Sequence, residues 1–214
     1  AAVSVGQFPC LEEPAPVGCL ALNHPLICEL STMTLRTPEI ACNPPSNSLR
    51  KIVVLGIGNV LWADEGFGVR CVETLQQRYD FAEHVQLVDG GTQGMALLSY
   101  VQEADALLIL DAIDYGLPPG ILKEVRGSEV PCFLGAKKMS LHQTGFQEVL
   151  MVAQLTGKFP PQIALIGCQP QELEDYGGSL SASTKQALED ALGMAVAQLK
   201  DWGACPMPRN HPVE

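Results

Sequence analysis

Acidic side chains follow three short apolar runs of the sequence. Asp64 and Glu65 come shortly after the first run, whereas Asp89 and Asp111 end the second and third. In open parallel sheets, ligands bind beyond the carboxyl ends of the strands. His142 precedes a predicted helix and could close over the same crevice. Two carboxylates and one imidazole can hold a metal with open positions, so Glu65, Asp89 and His142 form a candidate metal site.

Each of these residues also has a structural interpretation. Asp64 could be a helix N-cap, and Glu65 could be a first-turn acid that complements the helix dipole. Asp89 and Asp111 could be turn residues, and a single histidine such as His142 is more often structural than a ligand. The residues together therefore support a functional site more strongly than any one of them does alone, but their spacing does not indicate which reaction takes place.

The elements that must position these residues follow from the hydrophobic pattern. Short apolar runs predict strands at Lys51–Gly56, Val85–Asp89, Ala106–Asp111, Ile121–Val125 and Ile163–Gly167. Amphipathic spacing predicts helices over Phe67–Tyr79, Gln93–Gln102, Thr144–Leu155 and Ser183–Trp202. Capping-box patterns at Thr144–Gln147 and Ser183–Gln186 predict where the last two helices begin. Apolar strands that alternate with amphipathic helices predict an α/β domain with a mostly parallel sheet.

Composition limits the class of protein. The 214 residues are 47% apolar, which is enough for one well-buried domain. Residues 1–49 hold seven prolines and no clear period, so we expect an irregular extension before a functional domain at 50–214. The apolar runs are too short to span a membrane. A formal net charge of −11 argues against nucleic acid and anionic membrane surfaces as partners.

The eight cysteines include no CxxC pair, and the chain is longer than typical disulfide-rich secreted domains. The first basic residue is Arg36, so we also expect no basic leader segment. These features predict reduced thiols and a cytoplasmic protein.

A nucleotide-binding protein is the obvious rival. Gly56 and Gly58 follow a strand, but the dinucleotide fingerprint needs a third glycine where Leu61 stands. Asp64 and Glu65 would also repel a pyrophosphate. We therefore expect no nucleotide cofactor. The sequence also lacks the GxSxG, HExxH and P-loop motifs.

Four segments carry a resemblance to a known family. Gly56–Arg70 closely resembles the opening motif of the hydrogenase maturation endopeptidases. Val88–Thr92 and Ser140–Gln143 resemble the second and third motifs of that family, and Gly167–Pro170 is similar to its last-strand segment. The resemblance runs from about Lys51 to Trp202, which is the whole predicted domain.

The resemblance implies a fold, an activity and a set of site residues. The family fold is a three-layer sandwich with a twisted, largely parallel sheet. Its members remove a short C-terminal peptide from the nickel-loaded precursor of a [NiFe]-hydrogenase large subunit. The family's metal-contacting Glu, Asp and His correspond to Glu65, Asp89 and His142, the same three residues that the spacing suggests. The nickel would belong to the substrate, so binding would require nickel insertion.

The expected chemistry is hydrolysis by water activated by a carboxylate or by the metal, without a covalent enzyme intermediate. Glu65 and Asp89 are the expected catalytic residues, and the family is usually grouped with the aspartic peptidases. Asp64 or Asp111 could hydrogen-bond to His142 or to a water and so orient it, without contacting the metal. The alternative is a nickel-binding maturation chaperone that does not cut.

Overall fold

Seven strands and four helices make up the part of the chain that the structure describes. The computed structural model describes residues 50–131 and 141–209, with side chains from residue 145 onward in the second range. The strands are β1 (Ile52–Ile57), β2 (Tyr79–Asp80), β3 (Val85–Gly91), β4 (Ala106–Ala112), β5 (Leu122–Arg126), β6 (Gln162–Cys168) and β7 (Met207–Pro208). The helices are α1 (Phe67–Arg78), α2 (Leu98–Glu103), α3 (Leu141–Leu155) and α4 (Ala182–Asp201). The predicted extension at 1–49 lies outside the described residues.

The central sheet has the strand order β3-β1-β4-β6-β5. Its first four strands are parallel, and β5 runs antiparallel to β6 at one edge. This arrangement confirms the predicted α/β class with a mostly parallel five-stranded sheet. Strands β2 and β7, which the sequence did not predict, form a separate antiparallel pair at the end of α1. Within the described ranges, every helix is too short or too polar to cross a bilayer.

Successive side chains of the central strands pack into two different cores. Val54 and Leu108 lie in one cluster with α1 and α4, whereas Val53 and Leu107 lie in another with α2 and α3. The sheet is therefore the middle layer between two layers of helices. Burial on both faces explains why the parallel strands are continuous apolar runs rather than alternating ones.

Helix α3 begins earlier than the capping-box pattern predicted. The helix includes Leu141, so Thr144 lies inside the first turns and is not the N-cap. His142 accordingly belongs to the helix and not to the loop before it. Threonine costs well under 1 kcal/mol in a helix relative to alanine, so a Thr-x-x-Gln pattern is also compatible with a helix interior. The predicted end of this helix at Leu155 is confirmed.

The N-cap of helix α4 lies two residues before the predicted position. Its N-cap is Ser181, whose Oγ accepts the Thr184 N–H at 3.4 Å, and the prediction of Ser183 as the cap was wrong. The Ser181 hydroxyl also donates to the buried Asp64 carboxylate at 2.8 Å. That long-range contact selects one serine over the other, and local sequence could not show it.

Two of the described cysteines agree with the prediction of reduced thiols, and one does not. Cys71 and Cys168 are free and fully buried. Burial raises the pKa of both thiols, that of Cys168 to about 12, so they are protonated at neutral pH. Cys205 is disulfide-bonded. The prediction of reduced thiols throughout the chain was therefore wrong at that residue.

The first turn of α1 lies directly against the backbones of β1 and β4. A Cβ at Gly68 would lie 2.0 Å from the carbonyl oxygen of Leu110, and a Cβ at Gly56 would lie 2.4 Å from that of Gly68. Both gaps are too small for any side chain, so only glycine lets the helix start at the strand ends. The 3₁₀ turn Ala63–Gly66 is thereby held close to the carboxyl end of β1.

We expect Gly68→Ala to lower the free energy of unfolding by about 3 kcal/mol, because the added methyl meets rigid backbone. Urea unfolding followed by circular dichroism measures the loss. The matched control is Gly193→Ala in α4, where a Cβ meets nothing within 4 Å. That change should instead stabilise the protein by about 1 kcal/mol. Equal effects of the two substitutions would contradict the close approach.

Candidate active site

Neighbouring strands bring the segments of Glu65 and Asp89 to the same edge of the sheet. Gly56 of β1 is the register partner of Asp89 in β3, and Glu65 lies in the turn that follows β1. The Gly58 N–H donates to the Gly91 carbonyl at 3.0 Å, and the Asn59 N–H donates to the Glu65 carbonyl at 3.2 Å. Gly58 and Asn59 thus connect the segment of Glu65 to the segment of Asp89. Glu65 is half-buried and Asp89 is exposed, so both segments can be approached from solvent.

The glycine at position 58 has a direct structural role in this arrangement. Its φ is +132°, which a side chain rarely adopts, and a Cβ there would lie 1.8 Å from the Glu65 carbonyl oxygen. The backbone of Gly58 therefore packs against the backbone of Glu65. Gly58 is therefore needed because its backbone packs directly against that of Glu65.

His142 is placed by the packing of α3. The first turns of α3 contact the 3₁₀ turn Gly94–Leu97, which follows β3 and Asp89. A Cβ at Gly145 would lie only 3.6 Å from the Gly94 Cα, so the two backbones are close here. The start of α3 thus lies beside the segment that follows Asp89. The side chain of His142 lies outside the described part of the chain, so its role as a ligand stays a prediction.

The described side chains do not by themselves form a complete metal site. Among them, no group of three His, Cys, Asp or Glu side chains is arranged to hold a metal ion. Glu65 and Asp89 can supply two carboxylates, and a third ligand must come from elsewhere.

Asp64 is fully buried next to Glu65, and its carboxylate accepts four hydrogen bonds. Oδ2 accepts the backbone N–H groups of Gln171 at 2.8 Å and Glu172 at 3.0 Å. Ser181 donates its backbone N–H to Oδ1 at 2.7 Å and its hydroxyl to Oδ2 at 2.8 Å. Burial acts to raise the pKa of Asp64, but these bonds outweigh it and hold the pKa below its ordinary value.

The surroundings of Asp64 exclude one of its two predicted roles. The residue before the 3₁₀ turn is Trp62 and the N-cap of α1 is Gly66, so the interpretation of Asp64 as a helix cap was wrong. Its carboxylate oxygens are occupied by the loop of residues 169–181. The prediction that Asp64 supports His142 or a water is not tested by these contacts.

Asp111 lies at the same edge but two strands away from Asp89. It is buried at the end of β4, in register with Gly167 of β6. A Cβ at Gly167 would lie 2.2 Å from the Tyr115 hydroxyl, so the tyrosine occupies the space over that glycine. Burial, together with the nearby Asp111 charge, raises the pKa of Tyr115. The Asp111 carboxylate is therefore close enough to Tyr115 to affect its pKa, and its predicted supporting role stays a prediction.

Gln169 is a buried polar residue that the sequence analysis missed. Its Oε1 accepts the backbone N–H groups of Tyr115 at 2.7 Å and Leu117 at 3.1 Å, and its Nε2 donates to Asp114 Oδ1 at 3.0 Å. These bonds tie the loop after β4 to the end of β6. The sequence does contain a hint, since Gln169 lies within Gly167–Pro170, one of the segments that carry the family resemblance.

Comparison with known proteins identifies the relatives of this chain. A family model described as hydrogenase maturation protease matches residues 69–198. The hydrogenase expression/formation protein HoxM of Cupriavidus necator is 67% identical over 158 residues, which cover 74% of this chain and 78% of HoxM. The hydrogenase 2 maturation protease of Escherichia coli is 41% identical over 160 residues, covering 74% of this chain and 96% of that protein.

A solved structure agrees with these matches. The hydrogenase maturating endopeptidase HybD from Escherichia coli superposes with a TM-score of 0.71 at 40% identity, covering 74% of this chain and 98% of HybD. Fold and relatives together define the class of the protein as a peptidase, a type of hydrolase. The chain belongs to the hydrogenase maturation protease family.

The buried Asp64 carboxylate predicts a specific dependence of stability on pH. Because its pKa is lowered on folding, its stabilisation is fully present above the ordinary value of 3.8 and is lost as pH falls through the folded value. We expect Asp64→Asn to be less stable than the parent at about pH 6, with the difference narrowing towards about pH 3. Urea unfolding at both pH values measures this. A difference that stays constant with pH would contradict the ionised, hydrogen-bonded carboxylate.

Proposed function

We propose that this protein is an endopeptidase that removes a short C-terminal peptide from the precursor of a [NiFe]-hydrogenase large subunit. The observation that carries the proposal is that Glu65, in the turn after β1, and Asp89, near the end of the neighbouring parallel strand β3, lie at one edge of the sheet in a chain of the hydrogenase maturation protease family. The names of its relatives, a hydrogenase maturating endopeptidase among them, support this reaction.

In this proposal the nickel ion arrives with the substrate. Glu65, Asp89 and His142 complete the coordination of a nickel already held by the precursor. Two carboxylates and an imidazole are suitable donors for such an ion. A precursor without nickel lacks this bridging ligand and binds more weakly, so recognition depends on nickel insertion.

The chemical step is hydrolysis of one peptide bond. A water molecule, activated by Glu65 or Asp89 or by the nickel, attacks the scissile carbonyl carbon. The C–N bond then breaks, the water oxygen stays on the new carboxyl group, and the amine leaves with a proton. Neither route needs a covalent enzyme intermediate, and the reaction is of the aspartic type where Glu65 or Asp89 activates the water. No nucleotide takes part.

The surface around the acids supports a protein as the substrate. Large apolar side chains are exposed in the loops that follow β1, β3, β4 and β6, at the same edge of the sheet as Glu65 and Asp89. We call these residues the apolar rim: Val60, Leu61, Met95, Leu117, Leu173 and Tyr176. Contiguous exposed apolar patches mark protein interaction sites, and we propose that these side chains form one such patch. We also propose that the protein acts in the cytoplasm. The free thiols of Cys71 and Cys168 support this compartment, whereas the disulfide-bonded Cys205 does not.

A processing assay tests the reaction. Purified protein is mixed with the large-subunit precursor, with and without nickel loaded, and the mass of the precursor is measured. We expect mass loss only for the nickel-loaded precursor, and we expect Glu65→Gln to reduce the rate by about 100-fold or more because it removes a carboxylate base. The matched control is Glu129→Gln, an exposed glutamate of the turn that follows β5.

The other outcomes of this assay separate the alternatives. Cleavage that is independent of nickel would refute nickel-dependent recognition and leave an endopeptidase. Stable binding of the nickel-loaded precursor without cleavage would identify a non-proteolytic maturation chaperone. A Glu65→Gln variant as active as the Glu129→Gln control would remove Glu65 from the mechanism.

The apolar rim predicts an effect on substrate binding alone. Leu61 and Met95 are 52% and 46% exposed, so their substitution by glutamine should leave the fold intact. We expect each change to raise KM about tenfold with little change in kcat, because it removes apolar contact with the precursor. The control is Leu155→Gln at the far end of α3, where leucine is 80% exposed. An unchanged KM in both rim variants would show that the precursor docks elsewhere.

A further inference from the structure

We infer that Asp64 is a positioning residue for Glu65, because it locks the turn that carries Glu65 to the loop of residues 169–181. This inference rests on the proposed function of Glu65. Asp64 does not act on the substrate in this account. It acts through the backbone of the neighbouring residue, and it fixes where the Glu65 carboxylate can be.

The carboxylate of Asp64 gathers two distant parts of the loop around one point. The N–H groups of Gln171 and Glu172 come from its beginning, and Ser181 comes from its end, at the N-cap of α4. All four bonds are 3.0 Å or shorter, and all of their donors are oriented towards one buried negative charge. Hydrogen bonds to an ionised acceptor are about twice as strong as neutral ones.

Backbone hydrogen bonds join the same two segments. The Asp64 N–H donates to the Glu172 carbonyl at 3.1 Å, and the Ala63 N–H donates to the Asp175 carbonyl at 3.2 Å. In the opposite direction, the Gly177 N–H donates to the Leu61 carbonyl at 2.7 Å. The turn and the loop are thus connected by these three backbone hydrogen bonds as well as by the Asp64 carboxylate.

The conformation of Ala63 is a second, independent sign of this constraint. Its φ is +24°, and it is the one non-glycine residue with positive φ among the described residues. Such a conformation persists only where the surrounding structure imposes it. Here the loop imposes it, since Ala63 is bonded to Asp175 and the adjacent Trp62 ring stacks edge-to-face on Tyr176 at 5.2 Å. The strained residue lies two positions before Glu65.

The lock has a consequence for the proposed reaction. The loop of residues 169–181 carries Leu173 and Tyr176 of the apolar rim, and the turn carries Glu65. Because Asp64 joins the loop to the turn, the surface that contacts the precursor keeps a fixed distance from the carboxylate that acts on it. An asparagine cannot replace Asp64, since its amide NH₂ would face N–H donors and it would lack the charge.

Amide hydrogen exchange of the full chain tests the lock without any substrate. In Asp64→Asn we expect exchange in peptides spanning 59–66 and 171–181 to rise together, by about tenfold or more, while the strands β1 and β4 stay protected. The matched control is Asp190→Asn, an exposed aspartate on α4. If Asp64→Asn fails to fold, Ser181→Ala must show the same paired rise with a smaller amplitude, since it removes one of the four bonds.

The processing assay then tests the positioning role. We expect kcat of Asp64→Asn, per folded molecule, to fall about 100-fold, because small misplacements of a catalytic group have effects of that size. Substitutions in the apolar rim raise KM instead. Unchanged kcat, or faster exchange in only one of the two segments, would overturn the inference. If the exchange result holds while the parent protein cleaves no precursor, the lock stands and the proposed function fails.

Discussion

The structure depends on one steric constraint, the contact of the first turn of α1 with the backbones of β1 and β4. Gly56 and Gly68 allow this contact because neither has a side chain at the point where helix and strand meet. A larger residue would push the helix away from the sheet, and the turn before the helix would move with it. Glu65 lies in that turn, so the place of an acidic group depends on residues that have no functional groups at all. Gly58 adds the same condition on the other side of the acid.

Buried polar side chains then hold the loops at this edge of the sheet. The Asp64 carboxylate accepts backbone N–H groups of the loop after β6, and the Gln169 amide oxygen accepts those of the loop after β4. Each satisfies backbone N–H groups that have no partner in regular secondary structure, where an unsatisfied buried group costs about 1–3 kcal/mol. The site therefore rests on a rigid support, although most of its residues lie in loops. The exposed Asp89 and half-buried Glu65 remain open to a large partner.

Much of this architecture is predictable from the sequence because its main determinants are local. Continuous apolar runs predicted the parallel strands, and their alternation with helices predicted the α/β class. The three layers were implied by the family resemblance. The register of β1 and β3 confirmed that the segments of Glu65 and Asp89 are neighbours. Helix starts were less predictable, since capping patterns at Thr144 and Ser183 were also compatible with helix interiors.

The contacts that the sequence could not predict are those between residues far apart in the chain. The sequence offered a helix cap or support for His142 or a water as roles for Asp64, and its hydrogen-bond partners are more than a hundred residues away. The short pair β2–β7 was missed for the same reason. No local pattern marks such partners, because their choice is made by packing.

The separation between Asp64 and Ser181 also bears on how the protein acquires its activity. Their bond spans 117 residues, and one partner stands at the start of the last helix. Contacts between such distant residues form late, after the cost of closing a long loop has been met. A chain still emerging from the ribosome, with its first strands already folded, has no support yet for the acidic turn. Hydrolytic competence would therefore arise only after Ser181 has been synthesised and has reached the acidic turn.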